Sequence, residues 1–251
     1  MEHPPDPALA LLWRHRTDAA EPTLRRGPKQ RLTLDEVVDA GIGLADREGL
    51  AAVSMRPLAQ GLGLGAMSLY TYVPGRQELL TLMVDQVLGR TTLPPHGDDL
   101  RTRLAAVAEL QYSDYLAHPW LLEVGGRPWL GPHSSDRYEW QLTAVEGVGL
   151  GDVEMDQTIT LPVSFSAGVA RATDAVRRAE RESGLSDAEW WEANAGALGE
   201  VMDGSAYPIA GRVGQVAGQA YQAASDQVRE FEFGLARILD GLVAYLDDTT
   251  G

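Results

Sequence analysis

Cysteine is missing from all 251 residues. Its absence excludes a disulfide framework and any thiolate metal site, and it fits a reducing compartment. Long apolar runs are missing too: nothing approaches the ~20 residues of a membrane span. The one apolar run near the start, Ala8 to Trp13, is followed rather than preceded by Arg14 and Arg16, the wrong order for a secretory leader. A soluble, cytoplasmic protein with no membrane partner is expected. Histidine is scarce, and His3, His15, His96, His118 and His133 include no i, i+4 pair and no HExxH. No metal site and no cofactor are therefore expected. Nucleophile-elbow, P-loop and dinucleotide motifs are also absent, which leaves catalysis little to stand on.

Cations are outnumbered, for a formal net charge of −15. Taken alone, that argues against a polyanionic partner. Its distribution reverses the argument. Residues 1–90 hold ten Lys/Arg against eleven Asp/Glu, whereas residues 91–251 hold eleven against twenty-five. Within the nearly neutral front, Leu24 to Arg31 carries Arg25, Arg26, Lys29 and Arg31 with no acid. A polarised molecule of this kind orients on DNA, front first. Residues 1–30 read as an extension. Proline brackets a short helix over Ala8 to Arg16, and the basic segment after it is either an arm for phosphates or the minor groove, or a solvated linker.

Present throughout is helical pattern. With 44% apolar residues the chain can build a substantial core. Thr33 followed by Glu36 has the capping-box spacing, and Val37, Gly41 and Leu44 make a stripe ending near Gly49. Ser54 to Val73 reads as two short helices about a sharp turn. Leu58, Ala59 and Leu62 face inward on the first, Gly63 supplies the reversal, and Leu69 and Val73 anchor the second. Between these lie the small and hydroxyl-bearing residues Gly65, Ala66, Ser68, Tyr70, Thr71 and Tyr72, suited to close contact with a polar surface. Such a layout matches a helix-turn-helix whose second helix enters the major groove. Of the two tyrosines, Tyr72 is expected to be the more exposed. Gln77 to Arg90 is a further helix with a broad apolar face, and Thr91 to Gly97 separates this module from the rest of the chain.

From Asp98 onward only helices are expected. They include a long one over 153–182 kinked at Pro162, one from Ser186 to Leu198, and a last one capped by Ser225. Residues 196–224, rich in Gly, Ala and Gln, read as a loop joined to a weak helix. On the last helix Val228, Phe231, Leu235, Ile238, Leu242 and Tyr245 form a heptad seam, beside a second stripe of Leu239, Val243 and Leu246. A helix apolar on two sides packs on its own domain and on another subunit, unless it is wholly internal. The expected architecture is all-α: an extension over 1–30, a helix-turn-helix domain over 31–91, and a larger domain over 98–251.

The run GLAAVSMRPLAQGLGLGAMSLYTYVPGRQELL resembles the TetR family of bacterial regulators, above all in LAQ-x-LG, LY-x-Y-V and the basic residue plus ELL after them. The remainder resembles the tetracycline-repressor-type C-terminal domain in helix order and in HPW near its start. The resemblance implies a homodimer, joined through the helices near 153–182 and 225–247, that binds a palindromic duplex operator and leaves it when a small molecule binds. It implies base reading by Arg56 and by the exposed start of the second helix, Ala66, Met67 and Ser68, and phosphate contacts from Tyr70, Tyr72 and Arg76. At Ala66, Met67 and Thr71 the chain departs from the tetracycline-responsive pattern, so that operator does not carry over. The effector would be walled by aromatics from the middle of the second domain, Tyr112, Trp120, Trp129, Trp140 and Phe165, with polar groups from Arg127, His118, His133 and Gln141. Met83 and Val87, on the joining helix, would sense it. The histidine and carboxylate that hold a drug-bound magnesium in tetracycline repressors have no counterpart here. An interaction adaptor with a helix-turn-helix that no longer binds DNA, or an all-helical enzyme, remain as other classes.

Overall fold

Two apolar cores form, and the helices that build them owe their positions to the placement of their apolar residues. The computed structural model describes residues 7–16, 32–125, 131–202 and 206–250, among which there is no β-strand. In order the helices are α1 (Ala8–Leu12), α2 (Leu34–Glu48), α3 (Met55–Gly61), α4 (Ala66–Leu69), α5 (Arg76–Arg90), α6 (Leu100–Ala117), α7 (Pro132–Thr143), α8 (Asp152–Ser183), α9 (Asp187–Val201), α10 (Pro208–Tyr221) and α11 (Gln227–Thr250). Single 3-10 turns stand at Leu50–Ala52 and Pro119–Leu122.

The first core, hereafter the head, gathers α1 to α5. Val37, Val38 and Ile42 of α2, Leu58 and Ala59 of α3, Leu69 and Val73, and Leu79, Met83 and Val87 of α5 are all buried in it. The predicted capping box opens α2: the Glu36 amide donates to Thr33 Oγ1 at 3.2 Å, and the Thr33 amide donates to Glu36 Oε2 at 2.6 Å. Met83 and Val87 lie inside the head itself, which removes them from the position of ligand sensors. Ala8 and Leu12 are also buried here, so α1 is docked on the head although it belongs to the extension.

The second core, the body, joins α6, α8 and α11 through Leu104, Ala108, Met155, Ile159, Val169, Phe231, Leu235 and Leu239. As a single helix, α8 crosses Pro162, and Ser166 Oγ reaches the carbonyls of both Ala108 and Pro162 at 2.9 Å, tying α8 to α6. The buried line of α11 is Phe231, Leu235, Leu239 and Leu246, drawn from both predicted stripes, while Val228 and Tyr245 are exposed. A straight helix at 3.6 residues per turn drifts off a strict heptad, which explains the mixing. Asp226 rather than Ser225 caps α11, its carboxylate accepting from the Arg229 amide at 3.0 Å.

Residues 196–224, expected as a loop joined to a weak helix, are mostly helix: α9 runs to Val201 and α10 from Pro208 to Tyr221. Ser186 and Glu189 form the predicted box at the start of α9. Neither helix is held by a core. No residue of α9 is buried, and on α10 only Gly218 is.

Candidate nucleic-acid interface

The turn between α3 and α4 is set by a few backbone bonds. Leu62 N–H returns to Leu58 at 3.1 Å, Gly63 adopts φ +65°, and Leu64 N–H reaches Ala59 at 2.8 Å. A side chain at Gly63 would be strained by that φ, and glycine is not. Gly65 then opens α4. Leu69 and Val73, fully withdrawn from solvent, pull this segment onto the head from beneath. The side chains around Leu69 face outward.

Arg56, Ala66, Met67, Ser68, Tyr70 and Thr71 are exposed, Met67 to 80% and Tyr70 to 46%. The tyrosine expectation is reversed: Tyr72 is half-buried against the head core, and Tyr70 is the open one. The reason is that α4 stops after one turn at Leu69. The Tyr72 and Val73 amides both fold back on Leu69 O, at 3.0 and 3.2 Å, which leans the Tyr72 ring inward with Val73. Thr71 spends its hydroxyl on Ser68 O at 2.7 Å. Arg76, assigned to phosphate, uses Nε on Val53 O (2.7 Å) and one Nη on Leu50 O (3.0 Å), bracing the 3-10 turn that leads into α3. Arg25, Arg26 and Lys29 lie outside the described residues.

The aromatic wall expected in the body is dispersed. Trp120 is buried in the head core, where the 3-10 turn Pro119–Leu122 meets α2, and its indole N–H donates to Asp46 Oδ1 at 2.7 Å. The same oxygen takes His118 Nδ1 at 2.7 Å. Trp140 stacks on His96 with centroids 4.8 Å apart and donates to Pro94 O at 2.8 Å, fastening the linker after α5. Both tryptophans fasten joints, Trp120 to α2 of the head and Trp140 to the linker after α5. Composition alone does not tell a ring that seals a joint from one that lines a cavity. Tyr112 and Phe165 do come together, on either side of Phe231 (4.2 and 5.9 Å between centroids), and the Tyr112 hydroxyl meets Thr173 Oγ1 at 3.1 Å. Arg127 and Trp129 lie outside the described residues.

Two features escaped the sequence reading. One is a cleft of about 870 Å³ between α9 and α10, walled by Trp191, Leu198 and Met202 on one side and Gly211, Gly214 and Gln215 on the other. The adjacent Trp190 and Trp191 were its signal. The other is Asp85, a buried carboxylate on α5 that caps α7. It accepts from the amides of His133 (3.1 Å) and Ser134 (2.9 Å) and faces His133 Nδ1 at 2.9 Å. A Cβ on Gly131 would stand 2.0 Å from Asp85 Oδ1, so the approach requires glycine. No helix among the described residues is long and apolar enough to cross a membrane.

Comparison with known proteins agrees with this layout. Residues 93–246 match the family model for the tetracyclin repressor-like C-terminal domain. The HTH-type transcriptional repressor DrrR1 of Streptomyces coeruleorubidus is 42% identical over 237 residues, which span 93% of this chain and 84% of that protein. Among solved structures, apo ActR from Streptomyces coelicolor matches with TM-score 0.68 at 28% identity, over 86% of this chain and 97% of that one. ActR in complex with actinorhodin matches with TM-score 0.69 at 29% identity, over the same shares of the two chains.

Proposed function

Because the chain belongs to the TetR family of helix-turn-helix transcriptional regulators, we propose that it is a cytoplasmic repressor that holds a palindromic operator as a homodimer and releases it when a small molecule binds the body. The observation that carries the reading is the surface from Ala66 to Thr71. It is anchored from below by Leu69, and the side chains around that anchor are turned to solvent. Arg56 would take two acceptors on a guanine edge, Ala66, Met67 and Ser68 would meet the groove floor, and Tyr70 would reach phosphate. Thr71, Tyr72 and Arg76 would act mainly by supporting that surface, with the donors left on Arg76 available to the backbone of the duplex. The arm bearing Arg25, Arg26 and Lys29 would add phosphate contacts.

Dimerisation through α8 and α11 is supported by the apolar residues they leave open, Val153, Leu161, Val228 and Phe233, each at least 47% exposed. The hairpin of α9 and α10 would extend the same contact. The effector would enter the body near the Tyr112–Phe231–Phe165 stack or the α9–α10 cleft, and Arg127 and Trp129 stay candidates for it from the sequence alone. It would shift the dimer toward a state whose reading helices no longer stand ~34–36 Å apart, and only as far as it prefers that state.

Selection from random duplex DNA tests the reading directly. Enrichment of a palindrome, with affinity falling linearly in log salt, is the expected result. Arg56→Ala should cost about 1–3 kcal/mol and relax preference at one base pair. Failure to enrich any sequence, with no salt-dependent binding of bulk DNA, would refute it. A compound screen for release of the selected duplex then identifies the effector.

A further inference from the structure

We infer that residues 7–16 form a strap that ties the body to the reading head, anchored on the head by apolar burial and on the body by the Arg16–Asp136 ion pair. The anchorage is explicit. Ala8 and Leu12 are 1% and 5% exposed within the head core, and α1 lies along α5. Arg14 closes the segment on itself and on α2, donating to Leu11 O at 2.5 Å and to the Asp35 carboxylate in the first turn of α2. Two residues on, the strap leaves the head. Both Nη groups of Arg16 fork onto Asp136 of α7, one at 3.0 Å; α7 packs on α5 of the head and joins the body through α8, with Leu142 against the body core. Among the described residues this is the strap's one ion pair with the body.

The place where it lands gives the contact a role. The N-terminus of α7 is already held to α5 by Asp85, so strap and carboxylate grip the same turn of the body from two directions. Beneath the strap a cleft of about 240 Å³ remains, bordered by Leu12, Arg14, Arg16, Asp85 and His133. The strap is therefore not packed flush, and it can lift from α7 while α1 stays seated. Anchorage and coupling rest on different residues, so they can be separated by mutation. Losing Arg16 or Asp136 removes the ion pair with α7 and leaves the head core whole. Head orientation then rests on Asp85 and on the joints made by Trp120 and Trp140.

The test uses the full-length chain, with one readout that depends on DNA binding and one that does not. Because the protein has no cysteine, Met67→Cys carries a single spin label on each reading helix. Distances between labels are compared in wild type, Arg16→Asp, Asp136→Arg and the double charge swap. The expected result is a distance distribution at least twice as broad in each single variant, returning toward wild type in the swap. On the duplex recovered by selection, in the unlabelled background, each single variant should lose about tenfold in affinity, with non-specific binding unchanged and the swap recovering most of the loss. Unchanged distances in both single variants overturn the inference. So does a parallel loss of specific and non-specific affinity that the swap does not restore, which marks damage to folding. If no duplex can be selected, the regulatory reading fails, and the distances still decide the strap.

Discussion

The head and the α9–α10 hairpin both present helices to solvent, on opposite terms. In the head, α2, α3, α4 and α5 each hold at least one side chain almost wholly out of water, and the exposed remainder around α4 is small or hydroxyl-bearing apart from Met67. In α9 and α10, of 15 and 14 residues, one position is buried, and Trp190, Leu198, Val201, Ile209, Val213 and Val216 are all at least 45% exposed. Isolated helices of that length are marginal in water. Glycines at 211 and 214 cost α10 about 0.5–1 kcal/mol each relative to alanine, and an added Cβ at either would meet no described side chain within 4 Å. One region is completed by its own fold, and the other leaves its apolar side chains open among the described residues. Exposure therefore marks small and hydroxyl-bearing side chains over a packed core in the first case, and apolar side chains without a core beneath them in the second.

The contrast can be broken most sharply at its anchors. Leu69→Ala should destabilise the head by roughly 2–5 kcal/mol in chemical denaturation, whereas Val213→Ala should move monomer unfolding by less than about 0.5 kcal/mol. Equal effects would erase the distinction. Next in size, Val213→Asp with Val216→Asp should raise the dimer dissociation constant about 100-fold in sedimentation equilibrium, since interface anchors typically carry about 2 kcal/mol or more. An unchanged constant would confine the dimer to α8 and α11.

A smaller effect belongs to the head's entrance. Thr33→Ala removes the cap of α2 and should cost about 1 kcal/mol, read as a shift in the denaturation midpoint.

The smallest concerns the strap. Burial works against the charge on Asp35, but Arg14 and His15 outweigh it and hold the carboxyl below its ordinary range. A depressed carboxyl stabilises the fold above its unfolded value, and that contribution is lost as pH falls through the folded value. The Asp35 contribution to strap attachment should therefore be lost below about pH 4. Asp35→Asn should flatten that dependence in a fluorescence titration of Trp13, and an unaltered profile would mean Asp35 does not set it. Both side chains are partly solvated, so the effect is small.

How far this was readable beforehand obeys the same division. The capping boxes at Thr33 and Ser186, the glycine turn and the anchoring pair Leu69 and Val73 are local signals, and the chain obeys them locally. Tyr70 and Tyr72 were exchanged because helical periodicity was carried past Leu69, where the helix has already ended. Trp120 and Trp140 were misplaced because their partners, Asp46 and Pro94, are 74 and 46 residues away, a distance no window of sequence spans. The extent of α10 exceeds the weak helix expected there because Gly211, Gly214 and Gly218 lower its intrinsic propensity and one buried position gives it little packing signal. Asp85 left no mark at all. A carboxylate inside an apolar helix looks like a solvated face until the helix it caps is known.

Gly63 has a consequence for change over time. The turn asks for one residue type at one position, and the anchors below ask for two more. The outward residues Ala66, Met67 and Ser68 owe the scaffold nothing, since none of their side chains enters the core of the head. New combinations of helix-forming residues at those three sites can be sampled without disturbing the core, which leaves target preference free to drift while the machinery that presents it is inherited intact.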